Sequence, residues 1–264
     1  MKPKNISSLA KDPRFIPGIY NYCDCWCERC SFTARCLSYA LTEREDADDP
    51  ATHDLHSEAF WHNLQSGLQQ TRELITDWAA EQGIDLNSLD LEAAGEDHRR
   101  RREAAEAHEL FRAARHYAQL VDQWFATELT PLGPKQTGAE PTFELLTDDL
   151  EKTDPIQDAV EIINWYQHQI GAKIRRGLMQ DEEMAADDQW QNDSDGSVKV
   201  ALIGVDRSIT AWGRLLDYLP EKRESILTRL VHLDRLRRQT EQTFPRARDF
   251  IRPGFDELSG HLQH

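Results

Sequence analysis

Cysteine is absent from most of this sequence. Beyond Cys36 the 264-residue chain contains none, and all five of its cysteines lie between residues 23 and 36. Random placement would scatter them, so this clustering needs a chemical reason. Thiol groups packed this closely are most often metal ligands or redox partners. The sequence therefore concentrates its most informative chemistry in the stretch YCDCWCERCSFTARC, residues 22–36.

Long apolar runs and excess positive charge are also missing. No run approaches the roughly 18 apolar residues that a membrane span needs, so we expect no membrane association. The net charge of −16 disfavours a nucleic-acid partner, because free-standing nucleic-acid binders are normally basic. The first residues, MKPKNISSLAKDPRF, lack the apolar core of a secretory signal. Together with reduced cysteines, this predicts a cytoplasmic protein.

Four of the cysteines have the spacing of a metal-binding run. They form the pattern C-x3-C-x2-C-x5-C within fourteen residues and are Cys23, Cys27, Cys30 and Cys36. Iron–sulfur clusters collect thiolates from compact runs of this kind. We therefore predict that these four residues hold one [4Fe–4S] cluster, with Cys25 as an alternative ligand in place of Cys23.

Other chemistries stay open for these thiols. Zinc also takes four cysteines, although usually from two C-x2-4-C pairs separated by a longer arm. Reactive thiols or a disulfide are a further option, but an odd number of crowded cysteines without an export signal argues against a disulfide. The spacing of Cys23, Cys27 and Cys30 also equals that of radical-SAM enzymes, whose β/α barrel this sequence does not predict.

The rest of the chain has helical rather than alternating periodicity. Apolar residues recur at helical spacing, as Trp61, Leu64, Leu68 and Trp78 do in the first long segment. Five long helices are predicted, at about 54–82, 98–129, 154–184, 197–219 and 221–243. Helices of this length with short connections pack best as antiparallel neighbours. We predict an all-α, antiparallel up-and-down bundle of four to five long helices with an N-terminal cysteine-rich metal-binding lobe.

Composition suggests where the domains begin and end. An acidic stretch broken by Pro50 reads as a linker, and prolines make the end of the chain irregular. The predicted parts are a cysteine-rich lobe at 1–41, an acidic linker at 42–54, a helical bundle at 55–243 and an irregular tail at 244–264.

The predicted bundle contains a second set of candidate site residues. Glu161 and His168 are seven residues apart, so they lie two turns apart on one helix face. Asp206 lies among apolar residues of the next helix, where an ion pair with a basic side chain is the simpler interpretation. The stretch NDSDGS at 192–197 only partly matches a calcium-binding loop and is predicted to be a turn.

Three strings of this chain carry a resemblance to a group of bacterial all-helical proteins with an N-terminal CxxxCxxCxxxxxC motif. They are CDCWCERCSFTARC, INWYQHQIGAKI and DGSVKVALIGVDRS. The resemblance implies a bacterial cytoplasmic protein, and it transfers neither an activity nor any functional residue.

Three functions compete on these observations. The first is an iron–sulfur protein that transfers electrons or senses oxidants. The second is a zinc-stapled helical scaffold whose surface binds a protein partner. The third is an oxidoreductase with an active site inside the bundle, built from Glu161, His168 and Asp206.

Overall fold

The computed structural model of the protein describes residues 12–46, 54–128, 150–179 and 192–256, with only the helical backbone described at 43–46 and 150–154. All regular structure in these ranges is helical and no β-strand occurs in them, which confirms the all-α prediction. Their α-helices, in chain order, are α1 (Leu37–Asp46), α2 (Glu58–Glu81), α3 (Leu91–Ala107), α4 (Glu109–Glu128), α5 (Leu150–Leu178), α6 (Asp193–Tyr218) and α7 (Arg223–Thr243).

The chain divides into two compact units. One comprises the described residues of Met1–Asp97 and Arg252–His264, and the other comprises those of His98–Ile251. The first unit contains the cysteines and helix α2, and the second contains helices α4 to α7. None of the helices in the described parts of the chain is both long and apolar enough to cross a membrane.

Helix α2 of the first unit has clear end signals. The Ser57 hydroxyl caps it by accepting a hydrogen bond from the Ala59 amide at 3.1 Å, and Gly83 follows it with a positive φ of 70°. Its apolar side chains stay largely in solvent, however, since Trp61 is 57% and Trp78 is 56% exposed. The helical spacing of these residues correctly predicts the helix, but it does not place them in a core.

The predicted single helix at 98–129 is divided at His108 into α3 and α4. The His108 side chain explains the break, because its Nδ1 accepts a hydrogen bond from the Leu110 amide at 3.2 Å. A side chain that accepts from an amide two residues later competes with the helical pattern and caps the new helix. The prediction of one continuous helix is therefore wrong.

Helices α5 and α6 form the main packing contact of the second unit. They run antiparallel, since Asp158 pairs with Arg214 at 2.9 Å near one end and Gly177 lies against Val198 near the other. Apolar residues that recur at helical spacing on the two helices are buried, apart from half-buried Ile209. The buried ones are Val160, Ile163, Ile170, Ile174, Val198, Leu202 and Val205.

Helix α6 begins earlier than its periodicity suggests. Asn192 caps it, because the Oδ1 atom accepts a hydrogen bond from the Asp195 amide at 2.7 Å. Two acidic residues, Asp193 and Asp195, occupy its first turn, where they stabilise the positive end of the helix dipole. The segment NDSDGS is therefore a helix cap and first turn, and its prediction as a separate turn is wrong.

Gly177 allows α5 and α6 to approach closely. A Cβ atom at this position would overlap Cγ2 of Val198, and the Ser194 hydroxyl donates to the Gly177 carbonyl at 2.7 Å. We expect Gly177→Ala to lower the free energy of unfolding by about 1–3 kcal/mol through overpacking. Gly213→Ala is the matched control, because no atom lies within 4 Å of its added Cβ. The control should gain about 1 kcal/mol from helix propensity, and urea unfolding measures both.

A hydrogen-bonded aromatic cluster joins α4, α6 and α7. The indole of buried Trp212 donates to the Tyr117 hydroxyl at 3.0 Å and packs edge-on to Trp124 at 4.8 Å between ring centroids. The Trp124 indole in turn donates to Ser225 Oγ at 3.0 Å. The Arg229 guanidinium donates to the Leu120 carbonyl at 3.0 Å. These contacts satisfy the buried indole N–H groups of both tryptophans.

Alkaline pH should test the ionisation of this cluster. Burial raises the pKa of Tyr117 from 10.0 to about 12. Between these values the unfolded chain releases the phenol proton while the folded chain keeps it, so stability falls as the pH rises. The expected loss is about 1.4 kcal/mol per pH unit, measured by urea unfolding from pH 9 to about 12.

Tyr117→Phe is the control for this titration. It should be less stable near neutral pH, because it leaves the buried Trp212 indole without its acceptor. Its additional loss above pH 10 should be smaller than that of the parent chain. Equal slopes in the two proteins would contradict the assignment of the decline to Tyr117.

Candidate metal centre

The cysteine segment is built from three short 3-10 turns, Ile19–Tyr22, Cys27–Arg29 and Thr33–Arg35. Each predicted ligand lies at the edge of a turn: Cys23 follows the first, Cys27 and Cys30 bracket the second, and Cys36 follows the third. The Cys30 amide donates to the Cys27 carbonyl at 3.1 Å, which closes the C-x2-C loop. A turn of this size can present two sulfur atoms to one site.

All five cysteines line one small cavity of about 30 Å³. Each side chain is a thiol, and Cys25 is exposed while the other four are partly buried. Burial raises the pKa of the Cys27 thiol above its ordinary value, and the nearby Cys23, Cys36 and Cys30 thiols add to the increase. The cavity therefore gathers the four predicted ligands in one place. Cys27 is near enough to Cys23, Cys30 and Cys36 for their charges to affect its pKa.

Sulfur atoms of this segment make specific contacts. Cys23 Sγ donates to the Tyr20 carbonyl at 3.4 Å and lies 3.7 Å from Cys25 Sγ. The Phe32 amide donates to Cys30 Sγ at 3.4 Å. An amide that donates to sulfur stabilises the thiolate form, and hydrogen bonds of this kind tune metal–thiolate centres.

Aromatic side chains surround the same cavity. Four of them lie close to the cysteines in the sequence and are Tyr20, Trp26, Phe32 and Tyr39. Phe255 also lines it and contacts the Phe32 ring at 5.0 Å between centroids. Gly254 places Phe255 there with a positive φ of 75°, and a Cβ atom on it would lie 2.9 Å from Ile16.

Sequence reasoning missed Phe255, because it treated residues 244–264 as an irregular tail. The only local signal was the pair Pro253-Gly254, which marks a turn but does not name a partner.

The thiols do not form a compact single-ion site. In the described ranges, no group of three or more His, Cys, Asp or Glu side chains is placed so that it could hold a metal ion. Two thiolates on one tetrahedral zinc stand about 3.8 Å apart, given Zn–S bonds of about 2.3 Å. The Cys23–Cys25 pair matches this separation at 3.7 Å. The donor chemistry of the cavity thus suits a metal, and the Cys23–Cys25 pair has the separation of two thiolates on one zinc ion.

The candidate residues of the helices lie in different settings. Glu161 is exposed and accepts a hydrogen bond from Gln157 at 3.2 Å, and His168 is also exposed. Asp206 is half-buried and forms an ion pair at 2.6 Å with Arg248, which lies beyond the predicted bundle at 55–243. Glu161 and His168 therefore lie at the protein surface, and Asp206 takes part in an ion pair.

Comparisons with known proteins add no family to this description. No protein-family model, no curated protein and no solved structure matches the chain.

Proposed function

We propose that four cysteine thiolates of this protein hold one metal centre, a [4Fe–4S] cluster with a role in electron transfer or oxidant sensing. The ligands are Cys23, Cys27, Cys30 and Cys36. One observation carries the proposal: a single cavity is lined by every cysteine of the chain. When bound, such a cluster supplies one-electron chemistry, and its potential depends on hydrogen bonds to sulfur and on exposure to solvent.

The residues around the thiols support this choice. The Phe32 amide already donates to the sulfur of Cys30, and aromatic rings cover much of the cavity. The Arg29 guanidinium lies 4.1 Å from the centre of the Trp26 ring, which holds that ring beside the ligand Cys27. Rings of this kind limit the access of water and so favour a stable cluster.

Zinc is the second candidate, and a different observation favours it. Cys23 and Cys25 have the sulfur separation of two thiolates on one zinc ion, and the narrow cavity suits an ion better than a cluster. In this alternative the metal staples a helical scaffold that binds a protein partner. Cys23 and Cys25 are then both ligands, and Cys25 replaces one of the other three predicted ligands.

A second proposal concerns the arrangement of the helices. We propose that helices α4 to α7 form an antiparallel up-and-down bundle and that the cysteine segment is a separate metal-binding lobe. Support comes from pairwise packing in the second unit, where α5 contacts α4 and α6, and α7 contacts α4 and α6. The boundaries at 41, 54 and 243 remain predictions.

Elemental analysis decides between the metals. The full-length chain is produced with iron and zinc in the medium and purified without oxygen, and iron, zinc and acid-labile sulfide are measured per chain. We expect about four iron and four sulfide per chain, with broad visible absorption. About one zinc without sulfide would support the scaffold alternative instead.

Single serine variants identify the ligands. Cys27→Ser should reduce metal content at least tenfold, whereas Cys25→Ser should keep it if the four-ligand assignment holds. Loss of metal from Cys25→Ser together with its retention in Cys23→Ser would exchange these two residues as ligands. A parent chain with no bound metal after reconstitution would refute the proposal.

A further inference from the structure

Cys25, which is not one of the four predicted ligands, has an unusual backbone conformation. Its φ of 56° is the one positive value at a non-glycine residue in the described part of the chain. Cysteine rarely adopts this left-handed conformation, which normally favours glycine or asparagine. Cys25 is also the exposed member of the five, and its sulfur lies 3.7 Å from Cys23 Sγ. The chain thus holds an accessible thiol against a predicted metal ligand.

We infer that Cys23 and Cys25 form a redox couple that closes to a disulfide when a peroxide oxidant reaches Cys25. The two sulfur atoms must approach from 3.7 Å to a bond length of about 2.0 Å. The two sulfur atoms already face each other at this distance, so a short local movement suffices. The thiolate of exposed Cys25 is the first to react, because exposure governs which cysteine an oxidant meets.

The chemistry balances with hydrogen peroxide as the oxidant. The Cys25 thiolate attacks one peroxide oxygen and the O–O bond breaks. The other oxygen leaves as hydroxide, and Cys25 becomes a sulfenic acid. The Cys23 thiolate then attacks the Cys25 sulfur, the S–O bond breaks, and a second hydroxide leaves. The protons of the two thiols convert both hydroxides to water. The net reaction oxidises two thiols to one disulfide and reduces one peroxide to two waters.

Disulfide formation would also remove a ligand from the proposed metal centre. A sulfur atom in a disulfide is no longer a thiolate, so Cys23 could not hold the metal in that state. This consequence rests on the proposed function, whereas the disulfide itself does not. Cys25 would then make metal binding sensitive to peroxide, and reduction by a thiol would reverse the change.

The disulfide can be mapped in the metal-free, full-length chain. The reduced protein receives one equivalent of hydrogen peroxide, the remaining thiols are alkylated, and chymotrypsin cuts after Tyr22 and Trp26. The resulting peptide, CDCW at residues 23–26, contains only Cys23 and Cys25. We expect this peptide to be unalkylated and two hydrogen atoms lighter, and to account for most of the disulfide formed.

Cys25→Gly is the test variant, since glycine suits the left-handed backbone and should preserve the fold. Circular dichroism checks that the fold is kept. We expect this variant to lose thiols to peroxide at least tenfold more slowly than the parent chain. Equal rates, or disulfides that mainly join Cys27, Cys30 or Cys36, would overturn the inference.

A separate measurement tests the link to the metal. In metal-loaded protein, peroxide should release the metal at least tenfold faster from the parent chain than from Cys25→Gly. Equal release rates would refute the link. If no metal loads at all, the proposed function fails, and the peptide mapping still decides whether the redox couple exists.

Discussion

The double variant Cys27→Ala/Cys30→Ala should lose the stabilisation that the proposed metal centre would give to the first unit. The segment around these residues contains only short 3-10 turns, and few of its side chains are fully buried. A short irregular segment gains its folding free energy largely from the metal, and structural sites can supply on the order of 10 kcal/mol. We expect thermal unfolding of the metal-loaded parent chain to show a transition that chelation and the double variant both abolish.

Limited proteolysis locates this effect in the chain. Arg29 and Arg35 are exposed beside the cysteines, so trypsin can cut there once the turns open. Metal should protect both sites in the parent chain and not in the double variant. Cys25→Ala serves as the matched cysteine replacement and should keep the protection if four other cysteines are the ligands. Identical melting curves for the metal-loaded parent and the double variant would refute the structural role.

Trp212→Ala should strongly destabilise the second unit. The Trp212 side chain is fully buried, its indole donates to the Tyr117 hydroxyl, and its ring packs against Trp124. Truncation of a buried tryptophan costs about 3–5 kcal/mol, because it leaves a large cavity and here also removes a buried hydrogen bond. Urea unfolding followed by circular dichroism measures the loss.

Trp78→Ala is the control for the same change in residue type. Its side chain on α2 is 56% exposed, so its removal should change the free energy of unfolding by no more than about 0.5 kcal/mol. A similar loss in both variants would mean that burial does not separate the two tryptophans. In that case the exposed face of α2 would have to be covered in solution.

The local sequence pattern predicted the positions of the helices better than it predicted which apolar side chains are buried. In α4 the apolar spacing marks Leu110, Val121 and Trp124, and all three are fully buried. The same kind of spacing marks Trp61 and Trp78 in α2, yet both are exposed. Periodicity reports that apolar residues share one face of a helix, and it contains no information on what packs against that face.

The ends of helices depended on single side-chain contacts. Hydrogen bonds from the backbone amides to His108 and Asn192 set the starts of α4 and α6. Asparagine is a recognised cap, so the signal at position 192 was present in the sequence. Histidine is not among the favoured caps, and the break at position 108 became visible only in the structure.

The sequence by itself determined the all-helical class and the concentration of thiols between residues 23 and 36, because both depend on residues close together in the chain. The tertiary structure decided that these thiols line one cavity and that Phe255, more than 200 residues away, completes its wall. It also decided that Asp206 pairs with Arg248 while Glu161 and His168 face solvent. Contacts of this kind join residues far apart in sequence, so they arise from the folded chain and leave no local pattern to read.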